Sequence, residues 1–376
     1  MAFAVAWRIL THQKGRTALA IAGIFVAILL MFVELGFFIA VPQGGMLVYD
    51  HMRFDLLVAS QKYVFQGESG QFPRAQLDQV RQNPDVAQAA AVYIGGGKWQ
   101  DPAGGPRIDI SAIGFDPRSG VFAVPEIENQ RDVLDKPDTV LVDGQTRSIF
   151  GPLQPGRVVL IDGRRVTIGG TYTLGTGFLG LGVMLASEAN FFRIFANRPP
   201  DAVNLGLVQL KPGADPAEAA RALRAVLPAE TQVMTRDELA AHEVAFWTTK
   251  TGTGIIFGSG LVVAFIVGIM ILYQTLATQI TRQLPQFAML KAIGHSNRVL
   301  DGIVLIQALL VMVMAFVPAL AVALWVYAVI RAQTLLPVTM SPVELGGVFV
   351  VGVFMSAISA MLSLFRLRRA DPAEIF

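Results

Sequence analysis

The sequence predicts a membrane protein with four transmembrane α-helices and a large α+β domain inserted between helices 1 and 2. Four apolar runs carry the first part of that expectation: Thr17–Val41, Thr251–Thr281, Gly302–Ile330 and Leu345–Phe365. The inserted domain is expected from the mostly polar block Pro42–Thr251, which separates the first run from the second. Basic residues beside alternate ends of the runs fix the expected direction of each crossing.

Residues 1–16 hold Arg8, Lys14 and Arg16 and no acid, which suits a cytoplasmic N-terminal segment with Trp7 as an interface anchor. Residues 17–41 form the first expected span, since about 20 apolar residues cross about 30 Å of hydrocarbon. The run is longer than the core of a cleavable signal and shows no small-x-small site after it, so a retained anchor is expected. Residues 252–281 form the second span. If helical, the run Thr251–Thr281 reaches about 46 Å at 1.5 Å per residue, long enough to continue as a stalk. Residues 282–301 carry Arg282, Lys291 and Arg298 against Asp301 and are expected in the cytoplasm. The third span is 302–330, a short external loop is 331–344, the fourth span is 345–365, and 366–376 is a cytoplasmic tail opening with Arg366, Arg368 and Arg369. The positive-inside rule places both termini in the cytoplasm and 42–251 outside.

The block 42–251 contains 20 Lys plus Arg and 23 Asp plus Glu, so it has no basic footprint for nucleic acid. The chain has no cysteine, so this domain stands without disulfides or thiolate metal sites. Its size suffices for an independent core. Phe54–Ser60, Pro73–Gln82 and Ala87–Ile94 read as strand, helix and strand; Val203–Leu210, Pro216–Leu227 and Thr231–Met234 repeat that order, with Asp215 as the helix N-cap. Two β-α-β lobes, 50–106 and 198–240, are therefore expected on either side of a β-rich insert, 107–197, with strands at Thr139–Asp143, Arg157–Ile161 and Arg164–Ile168.

The pattern does not support catalysis. No G-x-x-x-x-G-K-[ST] loop exists; Gly95–Lys98 ends in Trp99 where a hydroxyl would hold magnesium, and reads as a turn. His12, His51, His242 and His295 are scattered, so no metal centre and no cofactor bound by this chain are expected. His242 and Glu243 read as solvated residues on a helix approaching the membrane, and Glu126, Glu128, Asp132 and Asp135 as loop charges. Glu34, the acid inside the first span, is either a functional intramembrane group or a residue reaching the interface. Gly252, Gly254, Gly258 and Gly260 suit close packing between paired helices or flexibility at the stalk base.

The cytoplasmic stretch Gln279–Leu300 is QITRQLPQFAMLKAIGHSNRVL. Pro285 is expected to end or kink the arriving helix. Gln286–Ile293 suits a short helix with Phe287, Leu290 and Ile293 on one side and Gly294 as its C-cap. Such a helix either lies in the headgroups or docks into a groove on a cytoplasmic partner.

The run PQFAMLKAIGHSNRVL resembles the E-[FY]-A-x-L-[KR]-A-[IMLV]-G signature of FtsX/MacB-type ABC transporter permeases, with Gln286 where that family commonly has Glu. NFFRIFANRPPDAVNLGLVQLKPGADP, LYQTLATQITRQLPQFAMLKAIGH and the terminal RRADPAEIF extend the likeness along the chain, toward the DevC-like permeases of heterocyst glycolipid exporters. The resemblance implies the MacB/FtsX-type fold of type VII ABC transporters in a bacterial inner membrane. It implies a homodimer that recruits a separate DevA-like ATPase, with ATP and Mg bound there. A DevB-like periplasmic adaptor and a TolC-like outer-membrane channel are the further implied partners, with a lipid, glycolipid or other amphiphile as cargo. It makes Pro285, Gln286, Phe287, Leu290, Lys291, Ile293 and Gly294 the coupling helix on the ATPase, and Asp371, Pro372 and Phe376 a second contact in the tail. Three rival readings are an FtsX-like signalling scaffold that transports nothing, a lipoprotein-releasing permease, and a stand-alone membrane enzyme.

Overall fold

The structure, a computed structural model, describes residues 2–12, 14–175, 177, 179–292, 296–334 and 338–369, and the backbone alone of residues 2, 16, 283–292, 297, 333–334 and 366–369. It divides into two compact units: Met1–Ala40 with Gly252–Phe376, and Val41–Thr251. In chain order the helices are α1 (Ala2–His12), α2 (Lys14–Asp50), α3 (Ala75–Arg81), α4 (Pro125–Glu128), α5 (Arg131–Leu134), α6 (Glu188–Ile194), α7 (Pro216–Val226), α8 (Arg236–Ala245), α9 (Gly252–Ala292), α10 (Asn297–Thr334) and α11 (Pro342–Arg369). The strands are β1 (Leu56–Ser60), β2 (Phe72–Pro73), β3 (Val86–Gln100), β4 (Ile108–Phe115), β5 (Thr139–Asp143), β6 (Val158–Ile161), β7 (Arg164–Tyr172), β8 (Val183–Ser187), β9 (Ala202–Val203), β10 (Leu205–Leu210) and β11 (Thr231–Thr235).

Among the described residues four helices are long and apolar enough to cross a membrane: Thr17–Asp50, Gly252–Arg282, Arg298–Ala332 and Pro342–Phe365. Ile24, Ile28 and Phe32 of α2 share one core with Leu272 and Leu276 of α9, Ala308 and Ala315 of α10, and Met355 of α11. Small residues bring the helices together, as expected where apolar burial does not separate protein from lipid. Gly268 of α9 lies under Met355, Ser359 donates to the Ile269 carbonyl at 3.0 Å, and Ser363 donates to that of Tyr273 at 3.3 Å. Helix α1 is amphipathic. It buries Ala6 and Leu10 and exposes Phe3 and Trp7, whose rings stack 6.5 Å apart.

One expectation for the spans is corrected. The helix does not end at Pro285: α9 is one helix of 41 residues to Ala292. A proline removes one i→i−4 bond, and the long stretch before it in α9 holds the helix through that loss. The second span begins at Gly252, the start expected for it. Thr251 is extended (φ −97°, ψ 147°) and separates α9 from a π-turn at Phe246–Lys250. Helix α2 also runs on past its apolar stretch, 37 residues through Pro42 to Asp50.

The second unit is α+β. Its main sheet has the order β11-β1-β10-β3-β4-β8-β5-β7-β6, and β3 also pairs with β6. In the first four strands every pairing is antiparallel, which is the ferredoxin-like order of two interleaved β-α-β units. The two expected lobes are thus corrected to a single half-sheet: β1 sits between β10 and β11, and β10 sits between β1 and β3. The expected insert is no separate subdomain either. Trp99 and Gln100 of β3 pair with Ile161 and Leu160, so β3, β4, β8, β5, β7 and β6 close into a barrel that shares β3 with the half-sheet.

The Gly triplet lies inside β3 and not in a turn. Gly95 faces the Phe191 ring, Gly96 approaches the Ile110 carbonyl, and Gly97 faces Asp162 and Ile161, so none has room for a side chain. All five residues of β1 are buried because both sheet faces are covered. Leu77 and Val80 of α3 and Leu223 of α7 pack with Leu56 and Val58 on one face. Met46, Val48 and Tyr49 of α2 and Leu239 of α8 pack with Leu57 and Ala59 on the other.

Candidate transmission junction

The second unit joins the rest of the chain at two places, the last turns of α2 and the turn after α8. Both are tied to one buried carboxylate. Helix α8 starts with a capping box: the Thr235 hydroxyl accepts from the Glu238 N–H at 3.2 Å, and the Glu238 carboxylate accepts from the Thr235 N–H at 2.8 Å. That start places Leu239 and, one turn on, Glu243 on the same inward face. Glu243 is completely buried. Its Oε1 accepts from the Tyr63 hydroxyl at 2.5 Å and its Oε2 from the Trp247 indole N–H at 2.9 Å. Tyr63 has spent its proton on Glu243, so the 2.9 Å bond between the two tyrosine oxygens has Tyr49 of α2 as donor. Gly45 of α2 lies against Trp247 and the Glu243 carboxylate, where a side chain would collide.

Aromatic contacts extend the tie. Phe65 stacks on Phe246 at 5.4 Å and meets Trp247 edge-on at 5.4 Å, and His242 Nε2 is 3.0 Å from the Val64 carbonyl. Arg236 donates to the carbonyls of Tyr49 at 3.2 Å and Met52 at 3.3 Å, and to Asp50 at 3.1 Å, which ties the start of α8 to the end of α2 and sets a cation at that helix C-terminus. Burial pushes the Glu243 carboxyl above its ordinary pKa, against the opposing pull of the Tyr63 and Trp247 bonds. Burial also raises the Tyr63 hydroxyl, with the neighbouring Tyr49 and Glu243 adding to it. The reading of Glu243 as solvated is therefore corrected: a capping box upstream and a Trp four residues on were its only local marks, and the Tyr63 contact comes from tertiary folding alone.

The predicted site residues fall in several places. Residues 285–291, which include Pro285, Gln286, Phe287, Leu290 and Lys291, lie on the backbone of the last turns of α9. Ile293, Gly294, Asp371, Pro372 and Phe376 lie outside the described residues. Gly258 faces the Phe38 ring of α2 at 3.4 Å, and Gly260 faces the Glu34 carboxyl, so these two glycines pack within the chain. A side chain at Gly252 would meet nothing within 4 Å, and Gly254 makes an interaction of its own. Glu34 Oε2 is buried without a hydrogen-bond partner among the described residues. The paired carboxylates are separately engaged: Glu128 with Arg53 at 3.0 Å, Glu126 with the Thr173 N–H at 2.6 Å, and Asp135 with Arg118 at 3.2 Å. Among the described residues no group of three or more His, Asp or Glu could hold a metal ion.

A second buried acid escaped the sequence reading. Glu344 accepts from the Tyr327 hydroxyl of α10, which also lies against the Phe32 carbonyl of α2. Its signal was legible as Ser341-Pro-Val-Glu344 ahead of an apolar run, a capping box in which the Glu344 N–H donates to Ser341 Oγ at 3.1 Å.

Two family models match the chain: the MacB-like periplasmic core domain over residues 17–226, more than half of the sequence, and the FtsX-like permease C-terminal region over residues 258–372. The chain belongs to the MacB/FtsX-like family of ABC transporter permeases, with four apolar helices and a large α+β periplasmic domain after the first. Members of that family work with cytoplasmic ATPase partners. The periplasmic region of MacB from Actinobacillus actinomycetemcomitans is similar at 8% identity and TM-score 0.38, covering 50% of this chain and 92% of that one. The extracellular domain of the ABC-type transporter YknZ from Gram-positive bacteria is similar at 16% identity and TM-score 0.34, covering 48% and 99%. A permease domain from Porphyromonas gingivalis is similar at 17% identity and TM-score 0.34, covering 49% and 89%. No curated protein matched the chain.

Proposed function

We propose that this chain is the non-catalytic permease subunit of an ABC exporter of the DevC-like type, and that it turns ATPase closure into movement of its periplasmic domain. In this reading the chain sits in the inner membrane with both termini in the cytoplasm. It pairs with a second copy, and two DevA-like ATPase subunits bind ATP and Mg beneath it. The last turns of α9, with Phe287, Leu290 and Lys291, receive the stroke. The domain passes it to a DevB-like adaptor and a TolC-like channel, expelling a lipid, glycolipid or other amphiphile.

The observation that carries the reading is the buried Glu243 tie. A domain that needs only an anchor can hang from two independent linkers. Here the end of α2 and the turn leading to α9 are bonded to each other inside the domain, through Tyr49, Tyr63, Glu243 and Trp247. Displacement of either connection therefore moves the body of the domain, with little lost to a flexible joint. The test is reconstitution of the chain with its ATPase and adaptor in proteoliposomes. Glu243→Ala is expected to keep the ATPase bound while abolishing stimulation of ATP hydrolysis by the adaptor. Full stimulation in that variant would overturn the reading.

A further inference from the structure

Between Leu19 and Ala20 of α2 and the face of α9 from Ile271 to Arg282, a groove of about 300 Å³ opens that is poorly suited to hydrocarbon alone. Leu19 and Ile271 supply apolar walls, and Thr275, Thr278, Gln279 and Arg282 supply polar ones. The Thr278 hydroxyl is already spent on the Gln274 carbonyl at 2.8 Å. Beside the exposed Gln274 and the half-buried Thr275, two polar groups stand out. Gln279 is 6% exposed, and its Oε1 is buried without a hydrogen-bond partner among the described residues. Arg282, three residues on and so on the same helix face, is exposed and has no ion-pair partner among the described residues.

A buried carbonyl oxygen without a donor is costly, and such atoms in folded proteins are nearly always satisfied. The missing partner must bring a hydrogen-bond donor to Gln279. To engage Arg282 it must carry an anionic group about one helical turn away. To lie along Leu19 and Ile271 at the end of a span it must also be apolar at its other end. We propose that this groove is a phospholipid site, with the phosphate on Arg282 and a donor-bearing headgroup, ethanolamine or glycerol, bonded to Gln279 Oε1. Guanidinium forks suit phosphate oxygens, and cationic pockets between spans suit lipid headgroups. Choline presents three methyl groups in place of N–H donors, so phosphatidylcholine satisfies Arg282 and leaves Gln279 orphaned. The site rests on the spans and their lining, not on the transport reading.

The test is native mass spectrometry of the purified full-length chain, offered phosphatidylethanolamine, phosphatidylglycerol or phosphatidylcholine of matched acyl chains. The first two are expected to be retained over the third by roughly three- to ten-fold, the range of one net hydrogen bond. Gln279→Leu should erase that preference while phosphatidylcholine retention stays unchanged. Arg282→Gln should lower all three, and Arg282→Lys should restore much of the loss. Gln279→Glu should favour ethanolamine over glycerol, a sign that a folding defect would not give. Equal retention of the three lipids, or a preference that survives in Gln279→Leu, overturns the proposal. Free phosphoethanolamine competing as well as the intact lipid would overturn the lipid assignment.

Discussion

Replacing Tyr63 with Phe deletes one oxygen from the junction and leaves two groups without partners. Glu243 Oε1 loses its donor, and the Tyr49 hydroxyl loses its acceptor. Tyr49 and Glu243 are both completely buried, so water does not replace what is lost without opening the site. Each unsatisfied group costs about 1–3 kcal/mol, so about 2–4 kcal/mol of local destabilisation is expected after partial relaxation. Hydrogen exchange of the full-length chain reads this as a loss of protection in α8 of roughly 30-fold or more. Glu243→Gln sets an amide donor against one of two donors and should cost about 1–3 kcal/mol. The double variant should lose less than the sum, with a coupling of about 1–3 kcal/mol. The pH dependence has a fixed sign. Burial raises the folded pKa of Glu243, so the folded state keeps this proton to higher pH than the unfolded chain does. Stability from this group is therefore fully present below the unfolded pKa and falls as pH rises through the window up to the raised folded one. Glu243→Gln should flatten that slope. Protection in α8 within two-fold of wild type in Tyr63→Phe, or strict additivity in the double variant, would refute the account of the tie.

Leu290→Asp places a charge on the proposed coupling surface; ATPase co-purification should fall at least ten-fold with membrane insertion unchanged, and undiminished co-purification would contradict the docking assignment. Gly260→Val should lower the thermal midpoint because its side chain meets the Glu34 carboxyl, whereas Gly252→Ala meets open space and should be neutral or raise helix stability by about 0.5–1 kcal/mol. Tyr327→Phe removes the donor to Glu344, and about 2–3 kcal/mol of bundle stability should go with it, read as a lower thermal midpoint in detergent. Excision of Arg107–Asn197 would strip β4 to β8 from the barrel and expose the edge of β3, so the remaining domain should become protease-sensitive.

The sequence by itself determined the class of fold. Four runs without interior charge, or with Glu34 alone, have no stable place except in a bilayer or a buried bundle, and length decides between these. It also determined local elements whose cause is local: Asp215 caps α7 through a 2.9 Å bond to the Ala217 N–H, and the apolar spacing after it gives the buried face. Only the tertiary structure decided how those elements were shared. Whether two β-α-β units form two lobes or one interleaved sheet depends on pairings far apart in the chain, such as β1 with β11, and no local pattern encodes them. The same holds for Glu243. Its burial comes from Tyr63, 180 positions away, and an acid that reads as solvated on its own helix becomes the centre of the junction when that hydroxyl reaches it.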